Sequence, residues 1–278
     1  MGILEAPLPG SPIGGTQVAM GNGRRTRMSR NELRALLVEE GRSLLHEDGF
    51  GSGPGNLTFK KVFDRVESGT GIHLTNASVI NRVWRNLADF QADVLVSIAE
   101  DSQLPEAAGA VDAIASALSG LDLASPESRA FAVRALCRIG GGANTVALSA
   151  SDTWSLWVNL LAMATEASED GPRQRLLSAF RDGYQNVDDF WSSTYSGLID
   201  LLGLRLREPW TLRHFTMAVT AYSEGCSMRN RIDDRVEFFN RPTGPNGDDE
   251  EWTLFAIGLE GLVDHFLEPD PDYRPPRP

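Results

Sequence analysis

Apolar positions recur along this chain every three and four residues, the spacing that gathers them on one face of an α-helix. Leu33, Leu36, Leu37, Leu44 and Leu45 follow a capping box made by Ser29 and Glu32. A helix is predicted from there to about Asp48, with Gly49 as its stop. The segment GFGSGPGN then reads as a flexible loop. Thr58 can cap a second helix whose inner face is Phe59, Val62, Phe63 and Val66, ending near Gly69 and Gly71. After a turn, Thr75 caps a third helix, expected to run unbroken to Phe90 with Val79, Ile80, Val83 and Trp84 facing inward.

The pattern stays helical past Asp101. Ser125-Pro126 and Gly171-Pro172 place proline at helix starts, and another helix is expected from Pro209. Pro172 to Leu202 is one long periodic segment carrying Leu176, Phe180, Tyr184, Val187, Trp191, Leu198 and Leu202 on one side. The three glycines of RIGGGAN, Arg138 to Asn144, lack the Lys-Ser/Thr of a phosphate loop and read as a break between helices. No run alternates as a strand would, so the expected fold is all-α. Its expected parts are a tail with a basic arm over 1–28, a three-helix head over 29–87, a helical body over 88–268 and a disordered proline-rich tail over 269–278.

A chain of 278 residues, 41% apolar, has the length of about two domains and enough apolar mass to bury a core. Its net charge of −12 argues against a nucleic-acid partner until it is divided. Residues 22–87 carry +4 and residues 88–278 carry −15. A basic head on an acidic body suits a polyanion held at one end and repelled from the other. A locally basic stretch in an acidic protein has the same signature.

Other chemistries find little footing. Cys137 and Cys226 match no metal or redox spacing and read as reduced, buried thiols of a cytoplasmic protein. No basic-then-apolar leader opens the chain. The most apolar run, Trp154 to Ala164, is interrupted by Ser155 and Asn159 and is too short to span a bilayer. The four histidines show no ligand spacing, and no catalytic elbow or zinc motif occurs. The expectation is no enzyme, no metal, no cofactor and no membrane partner.

Three helices in so short a span, the last two joined by a tight turn, describe a helix-turn-helix. In such units the start of the second helix of the motif meets base edges in the major groove. Asn76, Ala77, Ser78, Asn81 and Arg82 occupy that place and offer short hydrogen-bonding groups and a guanidinium. Lys60 and Lys61 open their helix against its dipole, an arrangement that a bound phosphate would relieve. Together with Thr75 and Arg85 they are the expected phosphate contacts.

On these residues, Leu33 to Leu95 resembles the N-terminal domain of the TetR family of bacterial transcriptional regulators. Thr58 stands at the cap of that family's second helix, Gly71-Ile72 at its Gly-Val and Thr75 at the recognition-helix cap. Val79-Ile80 with Val83 take its Leu-Tyr-x-x-Phe pattern, and Asn86 takes the usual lysine, with Arg85 beside it. His73 and Leu74 lengthen the turn, and both family aromatics are replaced by aliphatics.

The resemblance implies a C-terminal domain that dimerises through two late helices and holds a small-molecule pocket. Leu212, Phe215, Val219, Tyr222 and Cys226 form one apolar seam, and Trp252, Phe255, Leu259, Leu262 and Phe266 another. Two such seams can build a four-helix bundle across a two-fold axis, or each can pack inside its own chain. Trp154, Trp157, Phe180, Tyr184, Trp191 and Tyr195 cluster on two central helices as a candidate pocket lining. With no evident buried charges there, a largely apolar or aromatic effector is expected. The sequence thus points to a homodimeric, ligand-responsive regulator, a repressor by preference, on a palindromic double-stranded DNA operator. The alternatives are a constitutive or protein-partnered helix-turn-helix protein, and a helical protein whose head has lost DNA binding.

Overall fold

The computed structural model describes residues 28–48, 53–100, 104–166, 171–244 and 246–274. Arg24, Arg25 and Arg27 of the basic arm lie outside them. Among the described residues the helices are α1 (Arg30–Asp48), α2 (Phe59–Thr70), α3 (Asn76–Val79), α4 (Leu87–Glu100), α5 (Leu104–Leu118), α6 (Pro126–Ala150), α7 (Asp152–Glu166), α8 (Gly171–Leu202), α9 (Leu212–Ile232) and α10 (Leu254–Phe266). Four short strands join them: β1 (Leu204–Leu206), β2 (Phe238–Pro242), β3 (Asp249–Thr253) and β4 (Leu267–Pro269). The fold is predominantly helical, as the periodicity predicts, but not free of strands. β1 pairs with β4 and β2 with β3, each antiparallel, in two separate two-stranded ribbons. Stretches of three to five residues are too short to show alternation.

The first two helices form as their caps dictate. Ser29 Oγ accepts from the Glu32 amide at 3.2 Å while Glu32 accepts from the Ser29 amide at 2.7 Å. Thr58 Oγ1 accepts from the Lys61 amide, and α2 ends at Gly71, whose φ of 70° is the left-handed cap that glycine adopts without strain. Part of the expected flexible loop, Gly53–Asn56, is a 3₁₀ turn.

The third helix departs from expectation. It is a single turn, Asn76–Val79, and not a helix to Phe90. The chain then turns through Asn81 at φ 64°, where the Asn81 amide donates to the Trp84 carbonyl at 2.7 Å. Asn86 ends the turn by accepting from the Asp89 amide at 2.8 Å, which caps α4. The reasons are local. Val79, Ile80 and Val83 are β-branched, and asparagine tolerates left-handed backbone and favours caps over helix interiors. The turn also buries Trp84, whose indole N–H donates to Asp93 at 2.7 Å.

Asp93 is a junction. Its carboxylate also accepts from Arg34 of α1 at 2.8 Å and from Arg175 of α8 at 3.4 Å. The apolar core around it crosses the expected boundary at residue 87. Leu37, Val62, Val66, Val79, Phe90 and Val94 share one cluster with Leu156, Trp157 and Leu160 of α7 and Leu176 and Phe180 of α8. Helix α4, expected at the edge of the body, is shared between head and body.

Three further expectations need correction. RIGGGAN is no break: it lies inside the continuous α6. A Cβ on Gly140 would come within 2.7 Å of Ile114, and one on Gly141 within 3.0 Å of Ala256, so these glycines admit α5 and α10 to close approach. Helix α9 starts at Leu212, capped by Thr211, and not at Pro209. The chain end from Pro269 is partly ordered. β4 lies along β1, Tyr273 covers Gly203, and the Tyr273 hydroxyl donates to the Leu201 carbonyl at 2.8 Å.

The two apolar seams are spent inside the chain. Phe215, Val219, Phe255 and Phe266 are buried together, with Leu212, Tyr222, Leu259 and Leu262 packed against them. Trp252 lies in β3, not on a late helix, and is buried against Cys137 and Ala256. Within the single chain, α9 and α10 turn these nine residues toward each other and toward α6.

Candidate functional site

Two places in the molecule concentrate chemistry: the tip of the head and a cavity in the body. At the tip, α2 and the segment from His73 to Leu87 enclose an open groove of about 610 Å³. Thr75, Asn76, Ala77 and Asn81 are exposed there, and Lys60 is exposed on α2. The side chains of Lys60, Asn76 and Asn81 have no hydrogen-bond or ionic partner among the described residues.

The remaining expected DNA contacts are engaged internally. Ser78 Oγ accepts from the Thr75 amide at 3.0 Å and donates to the Thr75 carbonyl at 2.6 Å, which closes the single turn of α3. Arg82 folds back and donates to the Met28 carbonyl at 2.5 Å. Arg85 grips Asp89 through two hydrogen bonds of 2.7 and 3.1 Å, and these bonds, helped by its positive charge, hold the Asp89 carboxyl below the usual range. Lys61 pairs with Asp48 at 3.0 Å. The groove is of mixed sign, since Asp64 and Glu67 line it beside Lys60 and Arg85.

The body cavity lies between α5, α6, α8, α9 and α10 and has a volume of about 60 Å³. Of the six aromatic residues expected to line a pocket, Trp191 and Tyr195 do so. Their rings stack at a centroid distance of 5.4 Å. Trp154 is fully buried, and Trp157 and Phe180 pack edge-to-face at 5.0 Å within the core shared with the head. Tyr184 stands between: its ring meets Trp157 at 4.8 Å, and its hydroxyl donates to Glu224 at 3.3 Å.

Glu224 was not expected. It lines the cavity with Asn144, Thr220 and Ser223. Burial is the largest influence on its carboxyl and Asp188 adds to it; against the opposing hydrogen bond from Tyr184, they push its pKa up to about 7. Opposite it, Asn144 Nδ2 donates to Ser223 Oγ at 2.7 Å, and both side chains are buried. No cation pairs with Glu224 among the described residues. A sequence signal existed. Thr216, Thr220, Ser223 and Ser227 repeat at intervals of four, three and four, a stripe of small hydroxyls beside the apolar seam of α9. That stripe predicts a second inward face with polar business.

Among the described residues no cluster of potential metal ligands occurs, and no helix is long and apolar enough to cross a membrane. Compared with known proteins, the chain matches no family model, no curated protein and no solved structure.

Proposed function

We propose that the chain is a ligand-responsive DNA-binding regulator whose head meets DNA through its exposed polar tip and whose body carries the effector cavity. The observation that carries this reading is the physical continuity between the two. The cavity carboxylate Glu224 holds Tyr184, whose ring packs on Trp157, which belongs to the core of the head. A ligand that moves Glu224 therefore acts on a side chain wedged against the elements that set the head. Such a ligand must favour the state that binds DNA less well, and the coupling is then reciprocal. The basic head and acidic body support an oriented approach to a polyanion.

In this reading Lys60, Asn76 and Asn81, the free side chains of the tip, make the first contacts. Arg82 and Arg85 join only by exchanging Met28 and Asp89 for DNA. Pairing of two heads on a palindrome requires a dimer. Its surface is the outer face of α9, where Met217, Met228 and Ile232 are exposed in line with Ala221 and Gly225. Sedimentation of the wild type against Ile232→Glu tests that face: a dimer that becomes monomeric supports it, and an unchanged state removes it.

One observation favours a second reading, a helical protein whose head makes no base contacts. The element expected to enter the major groove is one turn long, and its arginine points inward. A salt titration of binding to the DNA flanking its gene, with random DNA in competition, separates the two. Site-selective binding with a steep salt dependence, weakened by Lys60→Ala and Asn76→Ala, supports the regulator. Binding no better than to random DNA at low salt supports the second reading.

A further inference from the structure

The cavity beside Glu224 adjoins a second one of about 70 Å³, and Ile114, Leu136, Tyr195 and Leu259 line both. The two differ in chemistry. The first has a carboxylate, two hydroxyls and an amide in its wall. The second is walled by aliphatic side chains, with Cys137 and the rings of Tyr195 and Phe215. At about 10–15 Å³ for each water-sized probe position, the first holds on the order of four to six non-hydrogen atoms, and the second about as many.

We propose that the body binds a small aliphatic amine, with its ammonium group on Glu224 and its alkyl chain directed past Tyr195 toward the second cavity. The wall selects this class by what it lacks as much as by what it offers. Glu224 is a carboxylate with one neutral donor, Tyr184, and with Asp188 as its charged neighbour. An anionic ligand meets repulsion there, and a neutral one leaves the carboxylate without a counter-charge. An ammonium group supplies that charge and three donors. The Glu224 carboxylate and the Thr220 and Ser223 hydroxyls can accept them, and the Trp191 and Tyr195 rings add aromatic faces to the wall. The largely apolar or aromatic effector expected from the sequence would leave the Glu224 carboxylate in the wall unmatched. That this amine is also the effector rests on the regulator reading; its binding does not.

The test uses the full chain without DNA. At pH 8, n-hexylamine, 1-hexanol and hexanoate are titrated by calorimetry, with tryptophan fluorescence reporting on Trp191. The expected result is saturable one-to-one binding of hexylamine at least tenfold tighter than hexanol, with hexanoate not bound. Affinity should rise about fourfold per methylene from butylamine to hexylamine. Glu224→Gln should erase the preference for amine while binding hexanol as the wild type does, which also shows that the variant is folded. Equal affinity for amine and alcohol, no saturable amine binding, or a preference that survives in Glu224→Gln would overturn the proposal. Hexylamine is then added to the DNA complex. Release of DNA makes the amine the effector, whereas amine binding without release overturns the regulatory clause alone. A chain that binds amine but no DNA keeps this site and loses the regulator.

Discussion

Two carboxylates sit inside this molecule under opposite conditions. Asp93, on α4 between head and body, accepts hydrogen bonds from Arg34, Trp84 and Arg175, which come from α1, the turn after α3, and α8. Glu224, in the body, accepts one from Tyr184 and lines a cavity. Residue type does not separate a structural carboxylate from one available to a ligand. The supply of donors does. Where the chain provides donors from several elements, the charge fixes their geometry. Where it provides one phenol beside a cavity, the charge is partly withdrawn from water at a cost that a ligand can remove.

The sharpest break of this contrast is Asp93→Ala. It strands the buried Trp84 indole and unties α1 and α8 from α4, and should lower stability by about 2–4 kcal/mol in denaturant unfolding. Glu224→Gln removes a charge that lacks a counter-ion, and should leave stability unchanged or raise it near neutral pH. An equal loss from both would erase the distinction.

The next effect is on pH dependence. Glu224 has its pKa raised from 4.5 to about 7, so between those values the folded chain holds a proton that the unfolded chain releases. Stability from this group is therefore complete below about pH 4.5 and is lost as pH rises through 7. The loss should be on the order of 1–3 kcal/mol, and unfolding at pH 5, 6, 7 and 8 should show a slope that Glu224→Gln flattens. A smaller change is expected from Asn144→Ala, which deprives the Ser223 hydroxyl of its donor and enlarges the cavity. About 1–2 kcal/mol of stability should go, with amine affinity affected less than by the charge change. The smallest belongs to Arg85→Ala, where an exposed ion pair with Asp89 is lost. Thermal unfolding should be essentially unchanged, so a loss of DNA binding in that variant reports a contact and not a weakened fold.

Much of the scaffold was legible because its signals are local. The Ser29–Glu32 box, the Thr58 cap, Gly71 and the long stripe of α8 each state their element within a few residues. The continuous helix expected from Thr75 failed because apolar spacing cannot distinguish one helix from a turn followed by another. Val79, Val83, Trp84 and Phe90 are buried on both sides of the break. Asn81 was read only for what its side chain offers and Asn86 only as standing at the family's usual lysine, yet the backbone of one sets a left-handed turn and the side chain of the other caps α4. The seams of α9 and α10 were real, but periodicity does not say which copy of the chain will cover them. The cavity was the least legible. Asn144 lies in a glycine run that looked like a break, and Glu224 meets Tyr184 across 40 residues of sequence.

The strap at the end of the chain has a consequence for how the body opens. β4 returns to β1, and Arg205 and Arg207 both reach Glu268, so residues 204–269 form a ring closed by contacts and not by a bond. Helices α9 and α10, which wall the cavity, lie inside that ring. Unlatching β4 would open that ring, and the amides of these three-residue strands should exchange with solvent ahead of those in the long helix α6. The ring is thus a tether that the chain can release without breaking a covalent bond.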